Sequence, residues 1–124
     1  MRNRFVPRAE WFTFLRSFSR RHKDRPVTVR VLIPGLGDQV EARDLPLEGI
    51  VAGRRPTAPI SIFLGGNLTR HVEHDVPDPI QAWVKLSEDG TEEALDIESQ
   101  DGTRTIIQFR SPEPPRPVDG LLNP

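Results

Sequence analysis

Two histidines three residues apart, His71 and His74, come closest in type and spacing to a metal site. Glu73 and Asp75 beside them could add carboxylate ligands. However, this segment has the pattern of a β-strand, and residues three apart on a strand point to opposite faces. The two imidazoles could not reach one ion without a bulge. The pattern therefore favours an exposed, charged strand, and no metal or other cofactor is predicted.

Acidic residues near the C-terminal end could supply a general acid and a general base: Glu92, Glu93, Asp96 and Glu98. Strand alternation places Asp96 and Glu98 on an outer face beside Arg104, where neither burial nor like charge would tune their pKa values. The chain also lacks the G-x-S-x-G elbow of serine hydrolases and the helix and lysine that follow a phosphate-binding glycine loop. No catalytic constellation is visible, so an enzyme is the third hypothesis for function.

Basic residues are concentrated at the start of the chain. Nine of the 17 Lys and Arg residues lie in the first thirty positions with two acids, whereas the rest holds eight basic and sixteen acidic residues. Arg16, Arg20 and Lys23 would form a basic helix face that could bind phosphates, while Trp11 or Phe12 could stack on a base. A solvated helix face balanced by the acidic sheet explains the same residues. A nucleic-acid or anionic-surface binder is therefore the alternative hypothesis.

One amphipathic helix is predicted from Pro7 to about residue 22. Proline suits its first turn, and basic residues suit its last turn, where they complement the helix dipole. Its apolar stripe comprises Trp11, Phe14, Leu15, Phe18 and His22. From 26 to 110 the apolar period is that of strands. We expect one globular domain over residues 1–110 and a proline-rich, extended or mobile tail over 111–124.

The last three predicted strands can be given a register, in which Val84 faces Leu95 and Leu95 faces Ile107. Asp89-Gly90 fits a two-residue type I′ loop, whereas Asp101-Gly102 fits a type I turn with a left-handed glycine, so two different loops are predicted. The same register places Trp83 and Ile106 together on the outer face. We expect the aromatic stripe of the N-terminal helix to cover this apolar pair.

The segment Leu45-Pro46-Leu47 is predicted to bend a strand, because proline cannot donate to a β-ladder and belongs at an edge or a bulge. The two leucines could be core residues that shape a corner of the sheet. They could also form an apolar interaction edge for self-association, which would make a homodimer.

Three strings resemble an uncharacterised family of small bacterial proteins, the domain of unknown function numbered five-three-three-five: Phe18–His22, Gln39–Ile50 and Leu95–Thr103. The resemblance covers Pro7 to about Leu122, and its middle string is the most specific. It implies a stand-alone bacterial domain with one early helix and many strands, and it carries over no activity, cofactor or catalytic residue. Three basic positions depart from the family pattern: Arg21, Lys23 and Arg25.

The expected fold is mainly β (α+β), a small antiparallel β-barrel or roll of six to eight strands with one N-terminal amphipathic helix packed on it. The leading functional hypothesis is a non-enzymatic cytoplasmic binding or assembly module that acts through its sheet surface or edge. The absence of cysteine suits a reducing cytosol. No apolar run approaches the roughly 20 residues of a membrane helix, so no membrane insertion is expected.

Overall fold

The structure, a computed structural model, describes residues 2–66 and 69–110. A short 3-10 turn (Arg8–Glu10) leads into the helix α1 (Trp11–Arg21). The strands of the described residues are β1 (Arg2–Val6), β2 (Pro26–Ile33), β3 (Gly37–Ala52), β4 (Ile60–Leu64), β5 (Val72–Val76), β6 (Pro79–Leu86), β7 (Glu92–Ser99) and β8 (Arg104–Phe109). The predicted tail over 111–124 lies outside the described residues.

All eight strands form one antiparallel sheet in the order β1-β6-β7-β8-β2-β3-β4-β5. The prediction of a mainly β fold with one N-terminal helix is confirmed. Closure into a barrel is not found in the described part of the chain, where β1 pairs only with β6 and β5 pairs only with β4. The helix α1 supplies core side chains on the inner side of the bent sheet, so the core is covered without pairing of the two edge strands.

The corner of the sheet lies in β3, whose two halves pair with different strands. Its first half pairs with β2 as far as Pro46, and its second half pairs with β4 from Leu47 onward. Asp44 adopts a left-handed φ of 52° at the bend, and the N–H of Gly65 bonds to the carbonyl of Pro46 at 2.9 Å. Leu47 is fully buried. The segment Leu45-Pro46-Leu47 therefore forms a corner inside the sheet, as the first of its two interpretations has it. It does not lie at an exposed edge of the sheet.

The apolar stripe of α1 packs on the inner face of the sheet. Phe18 is fully buried, and its ring centroid lies 5.6 Å from that of Phe109. The prediction that this stripe covers the outer pair of Trp83 and Ile106 is wrong. The cover comes instead from β1, a strand that the sequence did not predict, whose Phe5 makes an edge-to-face contact with Trp83 at 6.0 Å. Strand pairing places Phe5 directly opposite Trp83, which α1 cannot reach from the other face of the sheet.

The predicted register of the last three strands is confirmed, since Val84 pairs with Leu95 and Leu95 pairs with Ile107. The prediction of two different Asp-Gly loops is wrong. In both Ser87–Thr91 and Ser99–Thr103, the first N–H bonds to the last carbonyl and the glycine has a left-handed φ close to 90°. An irregularity beside Leu86 absorbs the extra residue of the first loop, which preserves the register of the apolar face.

Candidate anion-binding groove

The helix α1 takes the place of a strand beside the second half of β3. Beyond the corner, β3 no longer pairs with β2, so one side of its backbone needs another partner. The hydroxyl of Ser19 supplies it: Ser19 Oγ accepts the N–H of Ile50 at 2.8 Å and lies 3.1 Å from the carbonyl oxygen of Ile50. One serine thus fixes the helix against the strand. The space between the two elements continues along α1 as a groove.

The groove consists of two adjoining cavities that share Phe12 as a lining residue. One, of about 460 Å³, lies between the start of α1 and the loop after β3, and the other, of about 330 Å³, lies between α1 and the second half of β3. Its lining includes five arginines, which we call the groove arginines: Arg8, Arg16, Arg20, Arg54 and Arg55. Phe12, Arg16 and Arg20 follow one another at steps of four residues along one side of α1, and Arg8 lies four residues before Phe12 in the 3-10 turn.

The groove has an uncompensated positive charge. Within residues 2–66 and 69–110, no Asp or Glu lines either cavity and none of the groove arginines forms an ion pair. Several acidic residues elsewhere are paired with other cations, as Glu92 is with Arg21 and Asp38 is with Arg30. The acidic sheet therefore does not neutralise this surface, and the groove presents a local field that attracts anions.

Two aromatic residues at the start of α1 have different environments. Trp11 is only 5% exposed, and its indole N–H donates to the carbonyl of Val6 at 2.9 Å. Phe12 is 40% exposed, and the guanidinium of Arg54 lies 4.5 Å from its ring centroid. Trp11 also lines the first cavity but exposes little surface, so Phe12 is the predicted stacking residue that presents more of its ring to a ligand. The Phe12 ring lines both cavities.

The structure brings together two of the three residues of the predicted basic face. Arg16 and Arg20 line the same cavity, whereas Lys23 is exposed beyond the end of α1 and does not line the groove. Sequence reasoning missed Arg54 and Arg55 as groove residues, because their approach to α1 depends on the path of β3. Arg8 could have been found from its four-residue step to Phe12 along the same helix face.

The predicted outer-face pair, Trp83 and Ile106, flanks a buried carboxylate. Asp96 pairs with both residues across the sheet and is only 2% exposed. One of its oxygens accepts a hydrogen bond from Arg104 at 2.7 Å, and the other has no partner among the described residues. The guanidinium of Arg104 also lies 5.3 Å from the ring centre of Trp83. Side chains of the chain itself therefore occupy the centre of this face.

His22 joins the end of α1 to the sheet. Its ring lies between Phe18 and Phe109, with centroids 4.6 Å and 4.4 Å away. Nε2 lies 2.6 Å from a Glu92 oxygen and Nδ1 lies 3.0 Å from an Arg25 nitrogen, so a neutral ring with the proton on Nε2 satisfies both partners. Burial lowers the pKa of His22, although Glu92 opposes this shift. This environment suits a structural contact.

The two histidines first considered for metal binding do not form a ligand cluster. His71 precedes β5 and is exposed, whereas His74 is half-buried opposite Ile62. Over residues 2–66 and 69–110, no group of three His, Asp or Glu side chains is arranged to hold a metal ion. The Asp75 carboxylate on the same strand raises the pKa of Glu73, because it accepts a hydrogen bond from the protonated Glu73 carboxyl and repels its charged form. In the same part of the chain, neither helical segment combines the length and the apolar character needed to cross a bilayer.

Comparison with known proteins gives one match. The model of a family described as "Family of unknown function (DUF5335)" matches residues 2–118. No curated protein and no solved structure matches the chain.

Proposed function

Since the chain belongs to the family DUF5335, whose description assigns no activity, we propose a function from the geometry of the groove: the protein is a non-enzymatic binding module for an anionic partner. The single observation that carries this proposal is the set of five groove arginines around Phe12, with no carboxylate among the described residues of the lining. The contact surface is therefore the space between α1 and β3. The sheet surface and edge, which the sequence favoured, are secondary.

Arginine rather than lysine lines the groove throughout. A guanidinium presents a planar fork of donors that matches carboxylate or phosphate oxygens, and it also stacks on planar groups. Arg8 is held in place, because its guanidinium donates to the carbonyls of Pro56 at 2.9 Å and Pro79 at 2.6 Å. These bonds fix one wall of the groove before a ligand arrives. A preformed wall lowers the ordering cost of binding.

Two other surfaces support a binding role less well. The corner Leu45-Pro46-Leu47 lies inside the sheet, and Leu47 has no exposed surface to offer. The outer pair of Trp83 and Ile106 contacts Phe5, Arg104 and Asp96 of the same chain. Neither surface carries the unbalanced charge found in the groove.

Retention on immobilised heparin tests the proposal. We expect salt-sensitive retention of the unmodified protein and its loss when Arg16→Glu and Arg20→Glu are combined. The matched control combines Arg43→Glu and Arg70→Glu, which change the net charge equally at exposed positions outside the groove lining. This control should remain bound. Equal loss in the two double variants, or none in either, would show that the groove is not the contact.

A second candidate function is self-association, and the free edges of the sheet favour it. Within residues 2–66 and 69–110, the strands β1 and β5 each pair on one side only, and Phe5 on β1 is 50% exposed. An edge strand can pair with a second chain to make a homodimer. Light scattering over a range of concentrations tests this function, and a strict monomer at high concentration would rule it out.

A further inference from the structure

The exposed aromatic ring of Phe12 lies among the groove arginines, so one surface combines positive charge with an apolar, planar group. This ring lines both cavities of the groove; Arg16 lines the second cavity beside it, and the guanidinium of Arg54 lies over the ring, 4.5 Å from its centroid. A ligand that fills the groove must therefore offer negative charge and a planar, apolar surface within a short distance. From this juxtaposition we infer that the anionic partner is a single-stranded nucleic acid with one base stacked against Phe12. This inference rests on the proposed function of the groove.

The floor of the groove beside Phe12 can accommodate a base. It is formed by β3 residues with small or apolar side chains, namely Gly49, Val51 and Ala52. Val51 is 51% exposed and adds apolar surface, while Gly49 has no side chain to fill the space. A planar base can lie against such a floor, whereas the arginines surround it at the rim. The arrangement combines an aromatic stacking surface with a basic channel, as single-strand binding requires.

The backbone of β3 also offers hydrogen bonds to the edge of a base. The N–H of Ile50 points away from β4 and donates to Ser19. Ile50 and its partner Ile62 are therefore a non-hydrogen-bonded pair of the antiparallel ladder. In an antiparallel ladder this orientation recurs every second residue. Ala52, paired with Ile60, therefore also turns its N–H and C=O toward the groove. One donor and one acceptor thus lie beside the apolar floor.

The groove arginines are spaced to follow a phosphate backbone. Arg16 and Arg20 are one helical turn apart, which corresponds to a rise of about 6 Å along α1. Arg8 extends the same line beyond Phe12, while Arg54 and Arg55 lie across the groove. Duplex nucleic acid would keep its bases paired and stacked, so Phe12 would gain nothing from it. An acidic peptide could use the arginines but would leave the ring without a planar partner.

Fluorescence anisotropy with a labelled single-stranded oligo-dT tests the inference. If each groove arginine neutralises one phosphate, log K against log salt has a slope of up to about −3.5. Combining Arg16→Ala with Arg20→Ala should reduce this slope by about 1.4, whereas combining Arg43→Ala with Arg70→Ala should leave it unchanged. Phe12→Leu retains an apolar side chain without a ring. It should weaken oligo-dT binding by about ten-fold or more and change heparin binding less than about two-fold.

The matched control for the ring is Phe5→Leu, which removes an exposed phenylalanine on the outer face of the sheet. It should bind oligo-dT as the unmodified protein does. Oligo-dT affinity that is unchanged by Phe12→Leu would overturn the inference. So would a duplex of the same length that binds as tightly as the single strand, or a poly-glutamate whose binding shows the same dependence on Phe12.

The heparin measurement separates this inference from the proposed function. If heparin binding needs Arg16 and Arg20 but oligo-dT binding does not need Phe12, the groove binds anions and the single-strand assignment is wrong. If heparin binding does not need Arg16 and Arg20, both statements fail together.

Discussion

The bond between Ser19 and Ile50 should be one of the largest single polar contributions to the stability of the protein. Ser19→Ala removes the acceptor of the Ile50 N–H and the contact at its carbonyl oxygen in one step. A buried donor left without a partner costs about 1–3 kcal/mol. We therefore expect the free energy of unfolding to fall by about 2 kcal/mol, which corresponds to a decrease in Tm of about 8 °C for a domain near this size.

Ser17→Ala is the matched control, since it makes the same substitution one half-turn earlier on the same helix. The Ser17 hydroxyl accepts only an exposed 3.3 Å bond from Arg21 within the described residues. Both substitutions gain the same small increase in helix propensity, so their difference reports the bonds of the Ser19 hydroxyl, which are those to Ile50 of β3 and a bond of 2.7 Å to the carbonyl of Leu15. Urea denaturation followed by circular dichroism measures both variants. A difference below about 0.5 kcal/mol between them would refute the view that Ser19 replaces a strand partner.

Two further predictions concern buried ionisable groups. Because burial lowers the pKa of His22 from its ordinary 6.5, the unfolded chain takes up a proton more readily than the folded one. Stability should therefore fall as the pH drops below about 6.5 and level off below the folded pKa. Thermal melts at a series of pH values should show that Tm decreases less with falling pH in His22→Gln than in the unmodified protein, and that it decreases as in the unmodified protein in the control His71→Gln. An equal decrease of Tm in all three proteins would contradict the role of His22 in this pH dependence. Arg104→Ala removes the close partner of the Asp96 carboxylate. It should cost about 1–3 kcal/mol, less than a fully buried pair because the guanidinium is partly exposed, and Asp96→Val in the same background should recover most of the loss. Urea denaturation of the single variant Arg104→Ala and of the double variant measures the free energy of unfolding. A loss of stability found only in the double variant would contradict the prediction.

Local patterns predicted the parts of the fold that depend on neighbouring residues. The alternation around Val84, Leu95 and Ile107 determined the register of the last three strands, because a slip by one residue would expose the apolar face. The same reasoning failed for the loop at Asp89-Gly90, since a bulge can change the length of a loop without changing the faces. Register could be predicted where burial constrained it, and loop type could not.

Elements that depend on distant pairing were not predictable. β1 has no alternating apolar pattern and forms because its backbone pairs with β6, about eighty residues away. The groove has the same origin. Arg16 and Arg20 could be assigned to one helix face from their spacing, but Arg54 and Arg55 join them only because β3 turns at Pro46 and runs back along α1.

The replacement of a strand by α1 beside Ile50 also has a consequence for aggregation. While the helix is in place, Ser19 covers the unpaired side of β3 at Ile50, and the same side of the strand at Ala52 lies within the groove. A local opening that lifts the helix would expose this strand as a template to which another molecule could add. Substitutions that weaken the helix attachment should therefore promote fibrous or amorphous aggregates at temperatures well below global unfolding.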